Sequence, residues 1–402
     1  MAANGSIVCD RDRALAFRLD RHHLARRLPP GSLLEAAGAC GIQDTPPGSA
    51  ALALHARVTG LTPADVDRAL AADKTVLQAM SLRGAPLVFP TADAAIFTAG
   101  LLPEDEPSLR FFIAGAGEGL DRVGMSAIEL TALTAGALPD ILASREMTKD
   151  ELGLEIADRI SERLDTGRRE QWRLPSWYAS GQYLGESLVR FALYVVSLQG
   201  LFCYGPRKGN KARFVLTGEW LDSPLPVPDS ARARAGLARR YLHCYGPSTP
   251  AHYAEWAGIA PAQADRAWSM INGELTEVDF TGQRAWILGS DVACIKSPAP
   301  ASGVRFLPPH EPLLQMRDRA TLVPDQSLHR KLWRAVGNPG LLLVDGEAVA
   351  AWRSQKNGRT MNLAIETFAD IPGNRRPEIA AEAATLAPYR GCSSVNVRYG
   401  TI

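Results

Sequence analysis

Side chains able to do chemistry are plentiful in this chain of 402 residues, but few stand at a spacing that chemistry demands. No G-x-S-x-G elbow, P-loop or H-E-x-x-H is present, and the seven histidines are not paired with acids at ligand spacing. Six cysteines (Cys9, Cys40, Cys203, Cys244, Cys294 and Cys392) form no C-x-x-C pair, so they read as buried reduced thiols and no metal is expected. Gly115, Gly117 and Gly119 follow the apolar Phe111-Phe112-Ile113. Their G-x-G-x-G spacing outside a strand-helix-strand unit excludes a dinucleotide loop, and no cofactor is expected. Gln43-Asp44-Thr45 sets an amide, a carboxylate and a hydroxyl in a row, between a helix ending near Cys40 and another over 49–58. By residue type alone, Thr45-Pro46-Pro47-Gly48 is a turn, Asp44 or Thr45 a cap and Gln43 a surface amide.

A net charge of +1 is too small for binding nucleic acid through bulk electrostatics, which needs many phosphate contacts. Local clusters must carry any such affinity. They occur over 11–27, 207–213, 232–240 and 330–334. The turn from Gly205 to Lys211 packs Arg207, Lys208 and Lys211 with two glycines and an asparagine, and Arg213 follows. That composition favours phosphate contact, although a hairpin tip is also the commonest place for exposed lysines. No apolar run approaches the roughly 20 residues of a membrane helix, and Met1 to Asp10 lacks a signal-like apolar core. The expectation is a cytoplasmic protein without a membrane partner.

The elements that must position these groups are most legible from Arg240 to Leu288. A helix ends near Tyr245, Thr249-Pro250 caps a second that stops at Gly258, and Pro261 opens a third reaching about Asn272. Strands over 275–279 and 284–288 then join through Thr281-Gly282. Three helices and a hairpin make a winged helix. Thr148 to Glu151 is a capping box opening a similar unit, with an apolar helix reaching Gln199 and strands at 201–204 and 212–216. Thr62-Pro63 caps a helix in a first unit, where 74–80 reads as a second short helix and 87–89 as a strand. After Pro298-Ala299-Pro300 the pattern turns to strands. Asp345-Gly346 marks a type I′ hairpin, followed by a strand over 361–368, a helix over 376–386 and a last strand near 394–398. The fold class is therefore α+β: winged-helix modules over 8–125, 126–228 and 229–297, and a β-barrel-like domain over 298–402.

Several segments, in order, resemble DNA glycosylases of the AlkZ/YcaQ type. GIQDTPPGSAALALHARV (41–58) is similar to the segment holding that family's Q-x-Q or Q-x-D motif, and LRGAPLVFPTAD (82–93) to its R-G-x-P segment. Further similarity runs through 186–221, 239–261, 305–322 and 341–353. The resemblance implies three winged-helix modules in a C-shaped clamp around duplex DNA. It also implies hydrolysis of the glycosidic bond of alkylated purines by a monomer without cofactor.

By that resemblance Gln43 matches the first catalytic glutamine, Asp44 a usually apolar middle residue, and Thr45 the second catalytic glutamine or aspartate. Thr45 is a departure, since a hydroxyl can bind a water but cannot stabilise a cation as aspartate does. Gln43 would orient water and Asp44 supply negative charge or a base. His310-Glu311 falls where relatives have F-D-E-Y, which makes both candidate site residues. Arg317 and Arg319 match an R-D-R segment, as DNA contacts or as internal partners of Asp318; Arg83 carries the same two readings. The rival from another class is a winged-helix regulator that binds DNA without catalysis.

Overall fold

The computed structural model describes residues 7–206 and 211–401. Ile7–Cys9 forms β1, and Asp10 caps α1 (Arg11–Arg21) by accepting from the Arg13 amide. Helix α2 (Leu33–Gly38) leads through Gly41 into β2 (Ile42–Gln43), then α3 (Ser49–Arg57) and α4 (Pro63–Asp67). Thr62 and Asp65 close the expected cap as a reciprocal capping box. The short helix expected over 74–80 is instead β3 (Val76–Met80), paired antiparallel with β4 (Pro86–Pro90). The reason is two-sided burial: Val76, Leu77, Ala79 and Met80 are all buried, as the middle of a layer requires and a single-faced helix does not. Strand β2 takes the other edge of β4, with Gln43 opposite Leu87. Gly41 enters β2 at φ +72°, where a Cβ would stand 2.5 Å from Leu87, so glycine is required there.

In the next unit α5 (Ala127–Leu142), α6 (Lys149–Ser161) and α7 (Leu184–Leu198) enclose an apolar core. The Thr148–Glu151 capping box is formed. Strands β5 (Phe202–Tyr204) and β6 (Phe214–Leu216) pair as expected. Arg207 and Lys208 lie outside the described residues. The glycine run at 115–119 serves packing: a Cβ on Gly115 would come within 2.6 Å of Phe191, and one on Gly119 within 2.4 Å of Trp177.

The third unit follows the sequence reading closely. Helices α8 (Ser230–Tyr245), α9 (Pro250–Ala257, capped by Thr249) and α10 (Pro261–Ser269) precede the hairpin of β7 (Leu275–Phe280) and β8 (Gln283–Leu288). Its sheet holds a third strand from the other end of the chain, because β1 pairs parallel with β7, Ile7 opposite Val278.

The last region is not a barrel. Strands β9 (Val304–Leu307), β10 (Gly340–Val344), β11 (Glu347–Asn357), β12 (Thr360–Thr367) and β13 (Ser394–Thr401) form an open sheet of order β13-β12-β11-β10-β9. Between β12 and β13 runs α11 (Arg376–Thr385). Closure would need β9 against β13, whereas β13 runs parallel to β12 and its connection crosses one face as α11, burying Ile379 and Ala383. Asp345 (φ 49°) and Gly346 (φ 87°) form the left-handed hairpin turn expected of Asp-Gly.

The largest core joins residues of the first and third units to the C-terminal region, so these are not separate globules. Behind α3, Arg57 and Glu311 form an ion pair whose side chains are 1% and 0% exposed. Arg57 also donates to the Ala53 carbonyl at 2.9 Å, and Glu311 accepts from the Leu313 amide at 2.7 Å. Removing one member strands a buried charge. Glu311→Ala should therefore cost about 3–5 kcal/mol in urea unfolding, and Arg57→Met with Glu311→Leu should recover most of the loss.

Candidate functional site

Strand β2 is two residues long, and Asp44 prolongs its ladder by donating its amide to the Pro86 carbonyl at 2.9 Å. Alternation along an extended chain sends neighbours to opposite sides, and Gln43 and Asp44 accordingly meet different partners, Arg83 and Gln78. The residues that the sequence sets in a row are thus divided.

On the first side Gln43 meets Arg83. Arg83 Nη2 donates to Gln43 Oε1 at 3.4 Å and to Gln315 Oε1 at 3.1 Å, while Nη1 donates to the Trp256 carbonyl. A guanidinium only donates, so the Gln43 carbonyl oxygen must face it. Arg83 is left-handed at φ 55°, and its stem lies against Gly258, where a Cβ would stand 2.6 Å from Arg83 Cγ. Its donors are committed to amide and backbone oxygens, so Arg83 braces Gln43. Burial, then the neighbouring Arg317 guanidinium, pulls its pKa down to about 10. His310, also left-handed at φ 58°, has its pKa lowered by burial and then by Arg83, which leaves a neutral imidazole at pH 7. Arg319 stacks on Trp333 at 5.1 Å, its pKa lowered by burial and Arg317.

The cations here differ from the basic clusters elsewhere. Arg234, Arg239 and Arg240 are neutralised by Glu104, Glu274 and Asp93, and Arg27 by Glu382. Asp318, which stands between Arg317 and Arg319 in sequence, is taken by Arg18 at 2.8 Å. Among the described residues, Arg83, Arg317 and Arg319 have no carboxylate ion pair. Three cations gathered without acids constitute a receptor for an anion.

On the second side Asp44 is a helix cap. Oδ1 accepts from the Gly48 amide at 2.7 Å and the Ala50 amide at 3.1 Å, and Oδ2 accepts from Gln78 Nε2 at 3.0 Å. With Gln78, Val88, Tyr204 and Pro206 it lines a cavity of about 390 Å³. Asp44 as an open catalytic base does not match this engagement. Glu311 is withdrawn from the site by Arg57. Arg213 donates to the Glu146 carbonyl at 3.0 Å, while Lys211 is exposed. Gln315, Trp256 and Gly258 escaped the sequence reading because an isolated amide, a carbonyl and a turn glycine carry no pattern.

The model of the family described as DNA glycosylase AlkZ-like matches residues 36–389. An interstrand DNA cross-link repair glycosylase of Streptomyces sahachiroi is 25% identical over 397 residues, covering 96% of this chain and 98% of the relative. The solved structure of the Streptomyces sahachiroi DNA glycosylase AlkZ shares the fold, with a TM-score of 0.72 at 21% identity over 98% of this chain and 100% of that one. A family match over most of the chain, on a mixed α and β fold shared from end to end, defines a DNA glycosylase, a hydrolase of N-glycosyl bonds. More narrowly, the chain belongs to the AlkZ-like DNA glycosylase family.

The histidines give a test in pH. Burial lowers His23 to about 4 and also lowers His55 and His310. Each binds its proton more readily unfolded, so stability present above pH ~6.5 falls as pH drops below that value, with the His23 share lost down to about 4. Urea midpoints at constant salt should fall over that window, and His23→Gln should flatten the fall; an unchanged slope would contradict the assignment.

Proposed function

We propose that this glycosylase excises bulky N7-alkylguanine or N3-alkyladenine bases, including natural-product adducts and interstrand crosslinks, from duplex DNA. The observation that carries the reading is Gln43 held by Arg83 beside the uncompensated Arg317 and Arg319. An alkylated purine is already cationic and leaves with its electron pair, so the enzyme needs to supply a placed water and electrostatic fit more than an acid. In this reading the Gln43 carbonyl oxygen has a second acceptor position, which takes a hydrogen of that water, and the Thr45 hydroxyl two residues on assists in holding it beneath C1′. Water oxygen bonds to C1′ as the C1′–N bond breaks; the electron pair goes to the base nitrogen and the water's surplus proton to bulk solvent, giving neutral modified base and an abasic site. Arg317 and Arg319 take backbone phosphates; Arg83 and Asp44 act as positioning residues. The name of the Streptomyces relative supports the crosslink reading.

In this proposal the three helix-and-sheet units are winged-helix modules over 8–125, 126–228 and 229–297. Together with the region over 298–402 they clamp duplex DNA as a cytoplasmic monomer, with Lys211, Arg213 and the Arg207-Lys208 turn on the backbone.

A duplex carrying one N7-alkylguanine, followed by alkaline cleavage of abasic sites, tests this. Gln43→Ala should lower single-turnover rate by about 10²–10³. Asp44→Asn should keep most of the rate, while Asp44→Ala should lose about 0.5–2 kcal/mol of stability through the missing cap. Arg317→Ala should weaken binding and reduce the salt slope by about 1. Binding without base release across a panel of adducts would sink the substrate assignment.

A further inference from the structure

Away from the Gln43 cleft, three potential ligands from distant parts of the chain meet in the core. His22 ends α1, Cys40 lies between α2 and β2, and Cys244 lies on α8; they are 0%, 2% and 0% exposed. His22 Nδ1 stands 3.8 Å from Cys40 Sγ, and one donor atom from each residue lies within 4.8 Å of the others. The cluster is poorly satisfied by its own hydrogen bonds. His22 Nε2 is buried without a partner, Nδ1 faces only sulfur, and the Cys244 thiol has the carbonyls of Ala39 at 3.3 Å and Arg21 at 3.9 Å. A cation on Nδ1, the ring nitrogen that faces only sulfur, would give that edge of the buried imidazole a strong partner, with Nε2 remaining unpaired.

We propose that His22 Nδ1, Cys40 Sγ and Cys244 Sγ bind one zinc ion as a structural site. Zinc bonds of about 2.3 Å to sulfur and about 2.0–2.1 Å to nitrogen hold neighbouring ligand atoms roughly 3.5–3.9 Å apart in a tetrahedral site, so the three donors need only a small inward shift. Charge agrees as well: two thiolates, a neutral imidazole and a divalent ion sum to zero, which a core tolerates and a lone thiolate does not. Binding releases the two thiol protons. Oxygen for a fourth position is at hand in the Ala39 carbonyl and in the Tyr245 hydroxyl, which is 3.9 Å from Cys40 Sγ. Tyr245 also fixes the imidazole edge-on, with ring centroids 4.8 Å apart, and is itself anchored on the Pro312 carbonyl at 2.8 Å. The ion would tie α1 and α8 to the segment that enters β2, three residues before Gln43.

Full-length protein produced with zinc in the medium, gel-filtered and assayed for metal by mass spectrometry, should carry roughly one equivalent; His22→Ala and Cys40→Ala should reduce this to below about a tenth, and Cys9→Ala should not. Because those variants could fail to fold, the wild type decides. Chelator-stripped wild type should regain one zinc with a rise in melting temperature, and cobalt(II) in its place should show the absorption of thiolate-to-cobalt charge transfer. Folded wild type that takes up no stoichiometric zinc overturns the site. So does cobalt binding without the thiolate band, or a Cys40–Cys244 disulfide in freshly purified protein.

Discussion

A strand of two residues cannot hold itself in place, and the site of this glycosylase stands on one. Each force on β2 comes from a different direction. Gly41 lets the chain turn in against Leu87, the Asp44 amide extends the ladder on Pro86, and the Asp44 carboxylate locks the far end to α3. Behind α3, the Arg57–Glu311 pair binds the first unit to the C-terminal region. Loosening any of these would move Gln43, and placement to within an ångström is most of what an amide can offer a reaction.

The electrostatic design follows from what is missing. About half of the described arginines are paired with acids, Arg57, Arg234 and Arg240 among them. Arg83, Arg317 and Arg319 have no carboxylate ion pair among the described residues, and burial lowers the pKa of Arg83 and of Arg319.

Local signals in the sequence translated well where one residue type has one job. The caps at Thr62, Thr148 and Thr249, the Asp345-Gly346 turn and the third unit's hairpin all stand as read. Failures came where long-range packing decided. Residues 76–80 became a strand because neighbours on both sides bury them, and the terminal sheet stayed open because α11 occupies its face. Gln43 was legible only through family resemblance. The division between Gln43 and Asp44 follows from strand alternation, which could have been applied to the tripeptide had it been read as a strand instead of a turn. Arg83 kept two readings, DNA contact or internal brace, because sequence does not show that Gly258, Trp256 and Gln315 surround it.

The pairing of β1 with β7 has a consequence for biosynthesis. The first ordered strand leaves the ribosome about 270 residues before its partner, so its edge stays unpaired until the third unit emerges. The pairing joins residues 271 apart, Ile7 with Val278, and loop closure of that size is slow. A nascent protein stalled before residue 275 would therefore hold a complete second unit while β1 still lacked the strand it pairs with.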